Sequence, residues 1–116
     1  MMYDEFKEEY YNKWFQYVLD HPNKSWNYNQ LSRNPNITWE ITNNNPAKPW
    51  DYYWLSQNPN ITWEIVQNNP NKYWDYSMLS QNPNITWKIV QNNPDKLSKL
   101  SKLSKLSKLS KLSKLF

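Results

Sequence analysis

Apolar residues in this chain return most regularly at an interval longer than any helical or strand period. Trp26, Trp50 and Trp74 are 24 residues apart, and so are Trp39, Trp63 and Trp87. Leu31, Leu55 and Leu79 keep the same spacing, each followed by Ser, one variable residue and then Asn-Pro-Asn-Ile-Thr-Trp. Pro22, Pro46, Pro70 and Pro94 mark a second Asn/His-Pro corner with the same period. The unit reads W-[ND]-Y-x-x-L-S-x-N-P-N-I-T-W-[EK]-I-[TV]-x-N-N-P-x-K. A fixed period of this kind marks an array whose units bury their apolar faces against one another. Phe15, Tyr17, Val18, His21 and Pro22 fit as a degenerate first half-unit, so the array has about 3.5 repeats.

Each unit carries two helix starts. With Thr38, Thr62 and Thr86 as N-caps, the hydroxyls accept from first-turn N–H groups. The preceding residue is then Ile37, Ile61 or Ile85 and the fourth helical residue Thr42, Val66 or Val90, so the Ile–Val pairs form hydrophobic staples. With Asn27, Asp51 and Asp75 as caps, the same geometry sets Trp26, Trp50 or Trp74 against Leu31, Leu55 or Leu79. Both helices stop at Asn-Pro, because proline lacks an N–H and turns the residue before it away from α geometry. Asn34, Asn58 and Asn82 end one helix, and Asn45, Asn69 and Asn93 the other. Helices of about two turns do not stand alone in water and must draw stability from neighbouring units.

A strand-bearing, leucine-rich-like solenoid competes with this reading. Ile61 to Val66 alternates and is rich in β-branched residues, and the period lies in the leucine-rich range. The constant apolar positions of the other half, Trp50, Tyr52 and Leu55, do not alternate. The paired caps and staples favour an all-α, helix-turn-helix solenoid. Residues 4–20 read as one longer capping helix: Asp4 as cap, Glu5, Glu8 and Glu9 at its positive end, and Phe6, Tyr10, Trp14 and Val18 recurring every four residues. The expected organisation is a capping segment at 1–20, a repeat array at 21–95 and a low-complexity tail at 96–116.

Composition removes several function classes. The 116 residues include no Gly and no Cys, and one His, His21. Glycine-rich phosphate loops, disulfides, thiolate nucleophiles and multi-histidine metal sites are thereby excluded. The net charge of +4 conceals a division: residues 1–95 carry ten acids and seven bases, residues 96–116 seven Lys and no acid. The basic character therefore belongs to the tail, and such asymmetry marks an interaction arm. The N-terminus is acidic and no long apolar run occurs, so neither a secretory signal nor a transmembrane segment is expected. The expected compartment is intracellular.

The string NPNITWEIVQNNP followed by K-x-W, repeated along residues 14–96, resembles tandem-repeat proteins encoded in multiple copies by giant DNA viruses of the mimivirus group. The resemblance implies a viral origin, a host-cytoplasmic setting and a repeat architecture, and it carries over no catalytic residues. The chain departs from that pattern after Lys96, where Pro-Trp would open another helix. Here six Leu-Ser-Lys triplets begin at Leu97 and run to a closing Leu115-Phe116. Residues three apart drift by about 60° around an α-helix, so the tail's Leu side chains share no fixed face. That favours a low-complexity, largely solvated or marginally helical extension, produced by expansion of a short DNA repeat.

Extended repeat surfaces bind through residues that differ between units, here Asn29, Gln30, Tyr53, Trp54, Ser77 and Met78. Trp54 has Gln30 and Met78 as its equivalents. The recurring Trp residues are expected in the core and not on a stacking platform. The Asn-x-Thr sequons at Asn36, Asn60 and Asn84, like Asn23-Lys24-Ser25, are glycosylation patterns without a secretory signal, and the Thr serve as caps. His21 occupies a turn position. Amides at Asn34, Asn58, Asn82 and at Asn45, Asn69, Asn93 can satisfy backbone groups at the Pro corners and bond from unit to unit. With no nucleophile–base or metal constellation, an enzyme is not expected, and no cofactor is. The leading expectation is an interaction or structural module for a host or viral protein. The alternative is nucleic-acid or anionic-membrane binding through Lys96, Lys99, Lys102, Lys105, Lys108, Lys111 and Lys114, with a log–log salt slope of about −5 to −6. A decayed family member without function is a third reading, and a homodimer through residues 85–95 is possible for an uncapped array.

Overall fold

The structure, a computed structural model, describes residue 10, residues 13–98 and residue 102. Among these, α1 covers residues 13–20, and six short helices follow: α2 (Tyr28–Arg33), α3 (Trp39–Asn44), α4 (Tyr52–Leu55), α5 (Trp63–Asn68), α6 (Tyr76–Gln81) and α7 (Trp87–Asn92). No strand occurs among the described residues. The alternating stretch after Ile61 is not a strand because Thr62 is extended (φ −110°, ψ 164°) and caps α5, which starts at Trp63. The fold is all-α, two short helices per repeat.

All six expected N-caps form. Thr38, Thr62 and Thr86 accept from the N–H groups of Ile41, Ile65 and Ile89 at 3.2, 3.3 and 3.3 Å. Asn27 and Asp75 accept from Gln30 and Met78, and Asp51 from Tyr53. The helices end without a left-handed residue, in keeping with a chain that has no Gly: no described residue has positive φ. Asn34 and Asn82 take the extended conformation that a following proline imposes (ψ 126° and 134°). Asn45, Asn69 and Asn93 instead turn their amides back onto the Ile41, Ile65 and Ile89 carbonyls at 2.7–2.8 Å. His21 does the same at the first corner, its Nδ1 lying 2.7 Å from the Tyr17 carbonyl. One boundary departs from expectation: α4 ends at Leu55 and not at Asn58, and Gln57 N–H closes a tighter turn onto the Trp54 carbonyl.

One continuous core holds Leu31, Leu55 and Leu79, Ile37, Ile61 and Ile85, and Val66 and Val90. The two ends of each staple thus meet in the same interior, as burial of apolar surface requires. In α1 the buried pair is Phe15 and Val18, while Tyr10 is 61% exposed. The expected Tyr10–Trp14–Val18 stripe is corrected on this point. Phe15 stands where Trp39 stands one unit later, and it packs on the Trp50 ring at 5.6 Å. The expected helix start at Asp4, with Glu5, Phe6, Glu8 and Glu9, lies outside the described residues.

Three devices join the units. In the first, Ser32, Ser56 and Ser80, fully buried, donate to the Tyr28, Tyr52 and Tyr76 carbonyls of their own helices. Each accepts in turn from the next unit: Asp51 N–H on Ser32 and Asp75 N–H on Ser56 at 2.9 Å, Ser98 N–H on Ser80 at 2.7 Å. The second is the amide ladder. Asn58 Nδ2 donates to the Ser32 and Asn34 carbonyls, and Asn82 Nδ2 to those of Ser56 and Asn58. Asn60 and Asn84 add a parallel rail to Pro35 and Ile37, and to Pro59 and Ile61. The third is aromatic: Trp50 receives Tyr28 edge-on, and Trp74 receives Tyr52, both at 5.1 Å and 77°. Unit-to-unit bonding by the Asn58 and Asn82 amides is as expected, whereas the Asn34 side chain accepts from Asn36 N–H in its own unit. Asn45, Asn69 and Asn93 bond within their own unit instead, because their side chains face back along the helix they end.

The array does not stop at Lys96. Leu97 is buried in the core, Ser98 N–H takes the serine relay, and Lys102 is only 6% exposed. The connection is one residue shorter than in earlier units, so Leu97 fills the tryptophan slot and Ser98 the cap slot. Lys102 N–H then bonds the Ser98 carbonyl as Leu79 N–H bonds that of Asp75. Lysine therefore sits in the leucine slot, its stem along the apolar wall and its ammonium 3.1 Å from the Asn82 carbonyl. The packing continues past the expected boundary at 95/96 and covers the end of the array. Ile85 and Val90, expected in an open dimerisation end, are buried within the single chain.

Candidate binding face

The repeat places equivalent side chains in columns one unit apart. On α2, α4 and α6 and the turn that ends α4, these columns are Asn29–Tyr53–Ser77, Gln30–Trp54–Met78 and Arg33–Gln57–Gln81. Neighbouring units meet diagonally across them. Arg33 Cζ lies 4.1 Å from the centre of the Trp54 ring, and Gln57 Nε2 lies 3.0 Å from the Met78 sulfur. The pairs join Arg33, the last residue of α2, and Gln57, in the turn after α4, each to the third residue of the helix one unit later. Tyr53 meets Trp54 edge-on at 4.9 Å and 89°.

The structure thus gathers Tyr53, Trp54 and Met78 with Arg33 and Gln57. Asn29, Gln30 and Ser77 are exposed on the same helices, and Tyr53 is 43% exposed. Arg33 and Gln57 were not among the sequence-selected residues. A signal existed: position 33 differs from its equivalents Gln57 and Gln81 and carries the single Arg of the chain. What the sequence withheld was the diagonal, since contact between units depends on how they stack.

Two hollows share Arg33 as a wall. One, of about 180 Å³, is lined by Arg33, Trp54, Gln57 and Asn58; the other, of about 410 Å³, by Gln30, Arg33, Asn34 and Pro35. A third hollow of about 240 Å³ runs from Gln30 to Trp26 and Asn27. The lining is amide-rich, with one cation. A guanidinium stacked by its face keeps its N–H donors at the edge, where they suit a planar anion. Burial pushes the Tyr28 and Tyr52 phenols up from their ordinary value, which holds them neutral as packing groups against Trp50 and Trp74. Among the described residues no cluster of three His, Asp or Glu side chains could hold a metal ion.

The remaining candidates are used structurally. Trp26, Trp50 and Trp74 donate their indole N–H groups to the His21, Asn45 and Asn69 carbonyls at 2.8–2.9 Å. The sequon amides of Asn60 and Asn84 are engaged in the second rail. Of the tail lysines, Lys102 is held by Asn82, and Lys96 is exposed with its ammonium 5.9 Å from the Tyr76 ring. Lys99, Lys105, Lys108, Lys111 and Lys114 lie outside the described residues. No described helix is long and apolar enough to cross a membrane. No family model, curated protein or solved structure matches the chain.

Proposed function

We propose that this protein is a non-catalytic repeat module that holds a partner protein on the face formed by α2, α4 and α6. The observation that carries this reading is the division of labour along each unit. Repeated residues make the relay, ladder and stacks, whereas three adjoining columns that vary, Asn29–Tyr53–Ser77, Gln30–Trp54–Met78 and Arg33–Gln57–Gln81, lie around the half-exposed Trp54. Aromatic and Arg side chains are the commonest anchors of protein interfaces. The origin in a giant DNA virus, and with it a host-cytoplasmic setting, rests on the repeat motif alone.

The test is affinity capture from infected and uninfected host lysates at low and high salt. The full chain is compared with a Tyr53→Asn, Trp54→Gln variant, which restores the residues of the first unit. A partner kept by the full chain through the high-salt wash and lost by the variant supports the module. Equal capture by both that collapses at high salt assigns binding to the lysine tail.

A further inference from the structure

We propose that the two hollows sharing Arg33 form a carboxylate site for an acidic, extended segment of the partner protein, with Arg33 as its anchor. This inference rests on the module reading and names the chemistry of its partner. Arg33 and Trp54 both depart from their equivalents in other units, and the stacking diagonal brings those two departures together at 4.1 Å. The indole face holds the guanidinium in place, which lowers the entropy lost when an anion docks. Tyr53, edge-on to Trp54, fixes the indole in turn.

Around that fork the walls supply Gln30, Asn34 and Gln57. These amides offer both donors and acceptors, as an extended peptide backbone requires, and no second cation lines either hollow. A carboxylate meets an Arg fork through two parallel N–H···O bonds. Charge separates this ligand from a nucleic acid. One Arg fork with no second cation in either hollow matches a single carboxylate and not the successive phosphates of a nucleic acid.

The experiment is a ¹H–¹⁵N NMR titration of the full chain, following the Trp54 indole and Arg33 Nε resonances. The probes are acetyl-Ala-Glu-Ala-Glu-Ala-amide, the same peptide with Gln for Glu, and an eight-nucleotide oligo-dT. Saturable shifts at both resonances are expected with the Glu peptide, with a Kd of about 1 mM for one charge-assisted contact on an open face. Binding should be at least about tenfold weaker for the Gln peptide and for Arg33→Gln, and intermediate for Arg33→Lys, which keeps the charge without the fork. Gln already occupies this position in two units, so Arg33→Gln keeps the fold, and its unshifted spectrum elsewhere verifies this. Equal shifts with the Gln peptide would overturn the carboxylate site while leaving the face a binding surface. Silence with both peptides, alongside partner capture that needs Tyr53 and Trp54, would likewise overturn this inference and spare the module. Tighter, steeply salt-dependent shifts with oligo-dT would replace the acidic peptide by nucleic acid.

Discussion

Replacing Asn82 by Ala separates the ladder from ordinary helix capping. Asn82 is fully buried; its amide reaches the Ser56 and Asn58 carbonyls at 2.9 and 3.1 Å, and its Oδ1 accepts from Asn84 N–H at 2.8 Å. In Asn82→Ala the Asn58 carbonyl keeps the Ile61 N–H, so the groups stranded are the Ser56 carbonyl and the Asn84 N–H. At about 1–3 kcal/mol for each of these two groups left without a partner, the loss is roughly 2–6 kcal/mol. Asn45→Ala removes one half-exposed bond to the Ile41 carbonyl inside its own unit and should cost about 1 kcal/mol. In a domain of this size 1 kcal/mol moves Tm by about 4–8 °C, so urea and thermal melts resolve the two with ease. Equal losses would refute the ladder as the joint between units. Asn82→Asp adds a sign. A carboxylate facing carbonyls is destabilised, so its folded pKa is raised above the unfolded value near 3.9. Stability should be retained below that value, where the protonated acid still donates, and lost as pH rises through the folded pKa.

Other outcomes follow from the same geometry. A chain ended after Lys96 loses buried Leu97, the Ser98–Ser80 bond and Lys102, and should be about 2–3 kcal/mol less stable than one ended after Lys102; equal melts would remove the capping role. Lys102→Leu restores the residue of earlier units and leaves the Asn82 carbonyl its Ile85 N–H, so Tm should rise by a few degrees, and a fall would mean the ammonium bond outweighs the apolar slot. Burial raises the Tyr28 and Tyr52 phenols, so their contribution is complete below the unfolded pKa near 10 and is lost as pH rises through the raised values. Urea midpoints measured from pH 8 to 11.5 should fall in the native chain and fall less in a Tyr28→Phe, Tyr52→Phe variant.

Local physics was legible in the sequence and stacking was not. Caps at Thr38, Thr62, Thr86, Asn27, Asp51 and Asp75 need only a side-chain oxygen within three residues of an N–H, and Asn-Pro stops need only the proline ring. Both can therefore be read from adjacent residues. The partner of Ser32 is Asp51 and that of Arg33 is Trp54, distances along the chain set by how one unit rests on the next. Repetition of Ser after Leu in three units signalled a role without giving the bond. The tail misled for a different reason. Uniform Leu-Ser-Lys triplets suggest a solvated or marginally helical segment with no fixed apolar face, yet Leu97 and Lys102 drop into slots shaped by the preceding unit, and a Lys stem can line an apolar wall when its head group finds a carbonyl.

The joints between units also explain why the outer face is free to vary. The relay, the ladder and the Trp50 and Trp74 stacks all use positions on the inner side or at the corners, and none of these joints uses the side chains of Asn29, Gln30 or Arg33 or of their equivalents. A substitution there disturbs no buried polar group and opens no cavity, which are the usual sources of large destabilisation. The Arg33–Trp54 pair could therefore arise by two separate changes, each nearly neutral for folding. Arg33→Gln and Trp54→Gln should each shift stability by no more than about 1 kcal/mol, the Trp54 change being the larger because the residue is half-buried. Asn58→Ala, at the foot of the same hollow but in the ladder, should lose several times as much. If instead Trp54→Gln unfolds the chain as Asn58→Ala does, Trp54 belongs to the frame and the face loses its anchor. Small stability losses joined to loss of partner capture would mark α2, α4 and α6 as a surface carried by the frame and not needed to build it.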